Sequence, residues 1–303
     1  MRVALTGVSG FLGAAIARRL AESGHAVTGL VRASSRRDHL GETVDRFVVG
    51  DQADPAAWEP LLDGADAVIH NALDWDAVKR ASAGGPIEPH LQANVAGPIG
   101  LLHASAPRPF VFMSTIAVHH EMLPRWDGRI EEDHPTRPGS LYGAAKAAVE
   151  AHLFAAAADD RHVASIRPCA VYGMDPRAER TIGWPIVAKL ATGEPYARAG
   201  GGKFVHVDDV AAATVGALES PAAAGGVFNL VDTYARWADW AAIIADELGI
   251  DATIDDSSPA NPKNEFLPDA ARSIGAGLDR GTDGIREHVR EMIARMREMG
   301  ALA

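Results

Sequence analysis

The stretch "VALTGVSGFLGAAIARRL", residues 3 to 20, restricts the possible folds more than any other part of this chain. An apolar run leads into a turn holding Gly7, Gly10 and Gly13, and then into an amphipathic helical pattern. A backbone without Cβ atoms admits close approach, and the free N–H groups at a helix N-terminus, with the helix dipole behind them, favour an anion. A nucleotide pyrophosphate is the expected occupant, because the motif follows the first strand, opens a helix and stands in a βαβ unit. Gly7, Ser9, Gly10, Phe11, Leu12 and Gly13 are therefore candidate cofactor-binding residues.

Short apolar runs recur downstream, each followed by helical periodicity: "HAVTGLV", "RFVVG", "AVIHNA", "RPFVFMS" and "HVASIRP". Alternation of this kind predicts parallel strands joined by crossover helices, an α/β doubly wound sheet of Rossmann-like type. The runs are too uniformly apolar to have one wet face, as expected of strands covered by helices on both sides. "GDQADPAAWEPLL" predicts a helix capped by Asp54 with Pro55 at its first position. Beyond residue 170 the rhythm weakens: turn residues and one helix precede the strand "KFVHV", and "SSPANPKNEFLP" reads as a proline-rich loop over a site. The expected organisation is a dinucleotide-binding domain over 1–170 and 203–232, with a smaller, mixed C-terminal substrate-binding region over 171–202 and 233–303. Ile285, Val289, Met292, Ile293 and Met296 stand at helical spacing near the C-terminus, a stripe read as core packing.

The formal net charge of −11 argues against nucleic acid as a partner. No run approaches the roughly 20 apolar residues of a membrane span, so no membrane partner is expected. Cys169 is the one cysteine, read as a small buried residue in a reducing compartment. A strand starting at the second residue leaves no room for a signal or transit peptide, and a cytoplasmic location is expected. "AVHHE", residues 117 to 121, with His134 beyond it, invites a metal. Adjacent histidines in a strand point to opposite faces, so no metal site is expected there, only a loop near the substrate mouth.

"SLYGAAKAAVEAHL", residues 140 to 153, predicts a helix with Tyr142, Lys146, Val149 and Leu153 on one face. An ammonium group does not belong on a core stripe. Spacing by four residues sets Tyr142 and Lys146 about 6 Å apart along the helix axis. A tyrosine at its ordinary pKa near 10 is a poor base at neutral pH, whereas a neighbouring ammonium makes the phenolate more accessible.

With its G-x-x-G-x-x-G loop and "YGAAK", the sequence resembles the short-chain dehydrogenase/reductase superfamily, in its extended branch, the NAD-dependent epimerase/dehydratase family. "TGVSGFLG", "GDQAD", "VIHNA", "NVAGPIGLL", "FVFMSTIAV", "YGAAK", "RPCAVYG" and "FVHVDDVA" follow in that family's order over nearly the whole chain. The resemblance implies that Tyr142 is the acid/base, and that Lys146 lowers its pKa and binds the nicotinamide ribose. It further implies that Thr115, with Ser114 just before it, holds the substrate oxygen, and that Asn94 organises a water near the lysine. Asp51 and Gln52 are implied to contact the adenine, while Asn71, Ala72 and Pro168 line the cofactor groove. Relatives dimerise through a four-helix bundle that includes the tyrosine helix, which implies a homodimer.

Where an NAD enzyme offers an acidic residue to the ribose hydroxyls, this chain offers Arg32, with Arg36, Arg37, Ser34 and Ser35 nearby. A guanidinium matches a phosphate with paired hydrogen bonds, so NADP(H) is expected and NAD is the alternative. Ile116 and Ala117 replace the Asp-Glu that follows the catalytic threonine in the family's sugar 4,6-dehydratases, so dehydration is not expected. Gly202 stands near the place of the arginine with which nucleotide-sugar epimerases hold a diphosphate, with Lys203 as a partial substitute. The expected activity is hydride transfer between the cofactor and a small molecule with a secondary hydroxyl or carbonyl. An epimerase that retains NAD and a non-catalytic cofactor sensor are the alternatives.

Overall fold

The computed structural model describes residues 1–119 and 124–302. Strand and helix alternate through β1 (Arg2–Thr6), α1 (Phe11–Glu22), β2 (Ala26–Val31), β3 (Arg46–Val49), α2 (Pro55–Leu62), β4 (Ala67–His70) and α3 (Trp75–Ser82). Next come α4 (Glu88–Leu91), a π-helical segment (Gln92–Ala96), α5 (Gly97–Ala104), β5 (Phe110–Met113) and a 3-10 turn (Ile116–His119). They are followed by β6 (Arg129–Ile130), α6 (Leu141–Ala158), β7 (Val163–Pro168), β8 (Ala170–Tyr172), α7 (Trp184–Leu190) and β9 (Gly201–His206). The chain closes with α8 (Val207–Glu219), β10 (Val227–Leu230), β11 (Thr233–Arg236), α9 (Trp237–Leu248), β12 (Glu265–Phe266), α10 (Asp269–Ser273) and α11 (Gly281–Glu298). Asp54 caps α2 as its sequence predicts, its carboxylate accepting from Ala56 N at 3.0 Å.

Seven strands form a parallel sheet in the order β3-β2-β1-β4-β5-β7-β10. Successive residues of β1 serve opposite faces: Val3 and Leu5 pack with Ile16, Leu20 and Val210 of α1 and α8, whereas Ala4 packs with Leu61, Leu101 and Val149 of α2, α5 and α6. Covering helices on both faces explain why β4 and β5 are wholly buried and read as unbroken apolar runs. Winding reverses between β1 and β4, and the crevice beyond the carboxyl ends of those strands is where such sheets hold ligands.

The strand expected at residues 203 to 207 forms as β9, but it pairs in a smaller mixed sheet of order β11-β9-β8; α8 and β10 make the return to the large sheet. Alternation explains this position. Phe204 enters a second core with Tyr172, Trp240 and Met292, while Val205 joins the layer of α1 and α8, so β9 is the seam between the two. Ile285, Val289, Met292, Ile293 and Met296 all lie in that second core. Among the described residues no helix is long and apolar enough to cross a membrane.

A buried ion pair fastens α6 to the sheet. Arg167 of β7 donates from Nε and Nη2 to the two oxygens of Glu150 at 2.8 and 2.9 Å, and Ser165 Oγ adds a third bond at 2.7 Å. Both charged side chains are about 1% exposed. Removing one partner of such a pair strands the other charge, whereas removing both does not. Glu150→Ala is expected to lower the unfolding free energy by about 3–5 kcal/mol in denaturant titrations, and the Glu150→Leu, Arg167→Met double variant to lie much closer to wild type.

Candidate active site

The glycine loop is drawn against the end of β4. Gly7 has φ +70°, and a Cβ there would lie 2.8 Å from the Ala72 backbone. A Cβ on Gly13 would lie 2.0 Å from the Gly7 carbonyl oxygen, so neither position admits a side chain without displacing the backbone. Ser9 and Gly10 complete the turn, and α1 begins at Phe11 with no side-chain cap, leaving the first N–H groups of Phe11, Leu12 and Gly13 to an outside acceptor. Thr6 Oγ1 accepts from Asn71 N and Ala72 N, each at 3.1 Å, and meets His70 Nδ1 at 2.9 Å. With both lone pairs engaged, the hydroxyl proton goes to Nδ1, which leaves the ring proton of His70 on Nε2. Burial, reinforced by the Lys146 charge, holds His70 down to about 3, so the ring is neutral.

Gln52, beyond β3, is buried with no donor to its Oε1 among the described residues, and Asp51 beside it accepts from Ala53 N at 2.9 Å. A bare helix N-terminus, a loop closed to Cβ atoms and an orphaned acceptor at the edge of the crevice fit a dinucleotide with an exocyclic amine. Arg32 is exposed at the end of β2, in a turn closed by Ser35, and has no carboxylate within ion-pair distance among the described residues. Arg36 differs: its guanidinium is spent on Asp38, with bonds of 3.2 and 2.7 Å. Arg37 lies over the Phe47 ring.

Across the crevice, β5 ends at Met113 and delivers Ser114 and Thr115, while Ser140 caps α6 through Gly143 N and sets Tyr142 in its first turn. Thr115 Oγ1 accepts from Ala117 N at 3.2 Å, which leaves its proton for an oxygen in front of it. Ser114 Oγ is buried and without a partner among the described residues. Lys146 is 4% exposed; its Nζ donates to Met113 O at 2.5 Å and lies 4.5 Å from the centre of the Phe112 ring. Burial brings Lys146 down to about 7, with Glu150 opposing. Burial also pushes the Tyr142 phenol up, opposed by the Thr115 hydroxyl. Pro168, the last residue of β7, completes this side of the crevice.

Asn94 sits in the π-helical segment and braces the backbone of Asp74, accepting from its N–H at 2.8 Å and donating to its carbonyl at 3.0 Å. Its remaining bond is to His90 Nδ1 at 3.0 Å, and none runs to Lys146. Asp74 in turn caps α3, whose first residue, Trp75, packs against Tyr142 with ring centres 4.8 Å apart and ring planes tilted by 33°. Trp75 was not legible as a site residue, since an isolated tryptophan beyond β4 has no periodicity to place it. His119, in the "AVHHE" stretch, is buried in a 3-10 turn, not a strand, beside His134; His120 and Glu121 lie outside the described residues. Arg177, Glu179 and Arg180 flank the smaller core. Burial keeps the Cys169 thiol protonated.

Comparisons with known proteins bear on this geometry. The model of the NAD dependent epimerase/dehydratase family matches residues 3–230. The chain is 31% identical over 245 residues to a UDP-glucose 4-epimerase of Mycolicibacterium smegmatis, covering 76% of this chain and 77% of that protein. It is 32% identical over 178 residues to a 2-alkyl-3-oxoalkanoate reductase of Stenotrophomonas maltophilia, covering 57% of this chain and 52% of that protein. The Thermus thermophilus UDP-glucose 4-epimerase in complex with NAD superposes with a TM-score of 0.77 at 25% identity, over 96% of this chain and 99% of that one. A glycine loop, a tyrosine and lysine one helical turn apart and a threonine at the end of β5, on a fold matched through three quarters of its length, make this chain a member of the NAD-dependent epimerase/dehydratase family of extended short-chain dehydrogenases.

Proposed function

We propose that the protein moves hydride between NADP(H) and a secondary alcohol or ketone, working chiefly as a reductase. The observation that carries this is the set of Thr115, Tyr142 and Lys146 at the carboxyl edge of the sheet, facing a glycine loop near which Arg32 has no ion-pair partner among the described residues. A nicotinamide cofactor supplies the hydride donor or acceptor. Tyr142 gives the proton to the carbonyl oxygen; burial pushes its pKa up and the Thr115 hydroxyl opposes that push, which favours the phenolate left after the transfer. Thr115 donates a second hydrogen bond to that oxygen. Lys146, one helical turn beyond the acid, would hold the ribose of that cofactor. The similarity to a reductase of 3-oxo acids supports this direction of reaction.

A second reading, an epimerase that retains NAD, is favoured by the similarity to UDP-glucose 4-epimerases. Against it stands Gly202, where a diphosphate-binding arginine is expected; the neighbouring Lys203 rests on the Phe266 ring, 5.6 Å from its centre. A non-catalytic sensor is disfavoured by the intact Thr115, Tyr142 and Lys146 set. The cofactor proposal is tested by binding NADPH and NADH to the purified protein: NADPH binds more tightly, and Arg32→Ala removes about 1.5–3 kcal/mol of that preference, the worth of a charged hydrogen bond. Equal affinities, or a preference indifferent to Arg32, sink it. Turnover of a ketone panel with NADPH, set beside interconversion of UDP-glucose without added cofactor, separates the two readings.

Two further outcomes follow from the same groups. Tyr142→Phe lowers kcat by about 10²–10⁴-fold in steady-state assays and leaves cofactor binding unchanged. Lys146 titrates near 7 when folded and near its ordinary 10.5 when unfolded, so between those values unfolding takes up a proton. Stability contributed at this site is therefore lowest below pH 7 and rises with pH across that window. Relative to Lys146→Met, the wild-type unfolding free energy is expected to climb with a slope of up to about 1.4 kcal/mol per pH unit from pH 7 to 10. Parallel curves for the two proteins would remove the assignment.

A further inference from the structure

Thr115 opens the 3-10 turn Ile116–His119, which meets α6, the helix carrying Tyr142 and Lys146, at its near end and is tied to that helix through Arg167 of β7 at its far end. At the near end, Gly143 follows Tyr142 and packs so closely that a Cβ there would lie 2.5 Å from the Ala117 carbonyl oxygen. At the far end, His119 is 1% exposed and its Nε2 lies 2.9 Å from Arg167 Nη1. A guanidinium only donates, so Nε2 is the acceptor and the neutral ring carries its proton on Nδ1. Arg167 holds both oxygens of Glu150, and Glu150 stands one helical turn beyond Lys146 on the same helix. His119 likewise stands four residues beyond Thr115. The two short segments that present the reacting groups are thus joined twice, once by backbone contact and once by three buried side chains.

We infer that His119, Arg167 and Glu150 form a positioning relay that fixes the Thr115 hydroxyl relative to the Tyr142 phenol. This rests on the oxidoreductase reading of Thr115 and Tyr142. None of the three touches the reacting atoms. Upstream, Thr115 is anchored by the bond from Ser114 N to Ile166 O at 2.7 Å, and the turn itself by the bond from Arg137 N to Val118 O at 2.7 Å. Neither of those bonds refers to α6. Through Gly143 the turn takes its position directly from the helix that also positions Tyr142, and through Arg167 of β7 it is tied to the point where Glu150 fastens that helix to the sheet, which restrains the distance between the two hydroxyls. A tenth of a nanometre of misplacement at such a pair costs roughly 100-fold in rate.

The test compares His119→Phe, which keeps a ring and removes the acceptor, with His119→Gln, whose carbonyl oxygen can still accept from Arg167. Two readouts are taken on the full chain: NADPH-dependent turnover of the best ketone from the panel, and amide hydrogen exchange over residues 114–119. His119→Phe is expected to lower kcat about 10- to 100-fold and to speed exchange in that segment, with cofactor affinity held within about twofold. His119→Gln recovers most of both. Where His119→Phe fails to fold, His119→Leu, which also lacks an acceptor for Arg167, takes its place in the comparison with His119→Gln. A folded His119→Phe that turns over and exchanges like wild type overturns the relay, as does a folded His119→Gln that is no better than His119→Phe. If wild type reduces no ketone, the oxidoreductase reading falls, and the exchange comparison alone decides whether the relay holds the turn.

Discussion

An ammonium group taken out of water is the constraint around which the site is arranged. Lys146 has left solvent almost completely, and burial of an unsatisfied cation is too costly to persist unless something in the interior replaces its hydration. Here the replacements are one carbonyl, that of Met113, and the face of one ring, that of Phe112. Both belong to the end of β5. The lysine therefore dictates where α6 crosses the sheet, and with it two further positions: Tyr142, one helical turn before it, and Thr115, two residues beyond the carbonyl that holds it. The three groups meet because the cation admits few other arrangements, and the alanines flanking it on α6 leave room for the helix to come that close.

Glu150 settles the charge that this leaves. Its carboxylate opposes the loss of the proton from Lys146 and takes both arms of Arg167, so one anion serves two buried cations. A charge set of this type contributes little net stability against an apolar core of the same shape, but it tolerates only one geometry, since each member is costly without the others. That intolerance is useful beneath a catalytic turn. His119, drawn onto Arg167, is held neutral by burial and by that same guanidinium, at a pKa of about 4, and so stays an acceptor at any ordinary pH.

Much of this was legible in the sequence, and the boundary has a physical reason. Local signals carried their information within one element or one turn: the glycine loop before α1, Asp54 and Pro55 at the start of α2, the Tyr142 and Lys146 spacing, the apolar stripe of α11. The parallel order of the large sheet followed from alternation and from the motif order of the family. What escaped depends on contacts between residues distant in the chain. Arg167 looked like part of an ordinary strand, and nothing local reveals that it meets Glu150 and His119. Trp75 gives no period to read. Asn94 proved to brace the Asp74 backbone, a partner 20 residues away that no spacing rule connects to it. The strand at 203–207 was recognised, but its sheet was not, because Phe204 and Val205 point into different cores and either pairing suits an apolar run.

The tyrosine, lysine and threonine do not by themselves distinguish net reduction from epimerisation, since both pass a hydride and a proton at one carbon. The difference lies at the two ends of the crevice. An epimerase must keep its cofactor through the cycle and must let the oxidised substrate turn over while some remote group, such as a diphosphate, remains tethered. A reductase must release its cofactor each turn and need not let its substrate turn over. At one end Arg32 stands exposed on a turn with no carboxylate within ion-pair distance among the described residues, and the proposed NADP(H) preference rests on it. The proposed direction of reaction rests likewise on Gly202, which has no side chain to grip a diphosphate, and on Lys203, laid on the Phe266 ring. The pKa of Tyr142 does not separate the two reactions, because a phenol is protonated at neutral pH with or without the upward push of burial, and in either reaction it must both give and take its proton at one carbon.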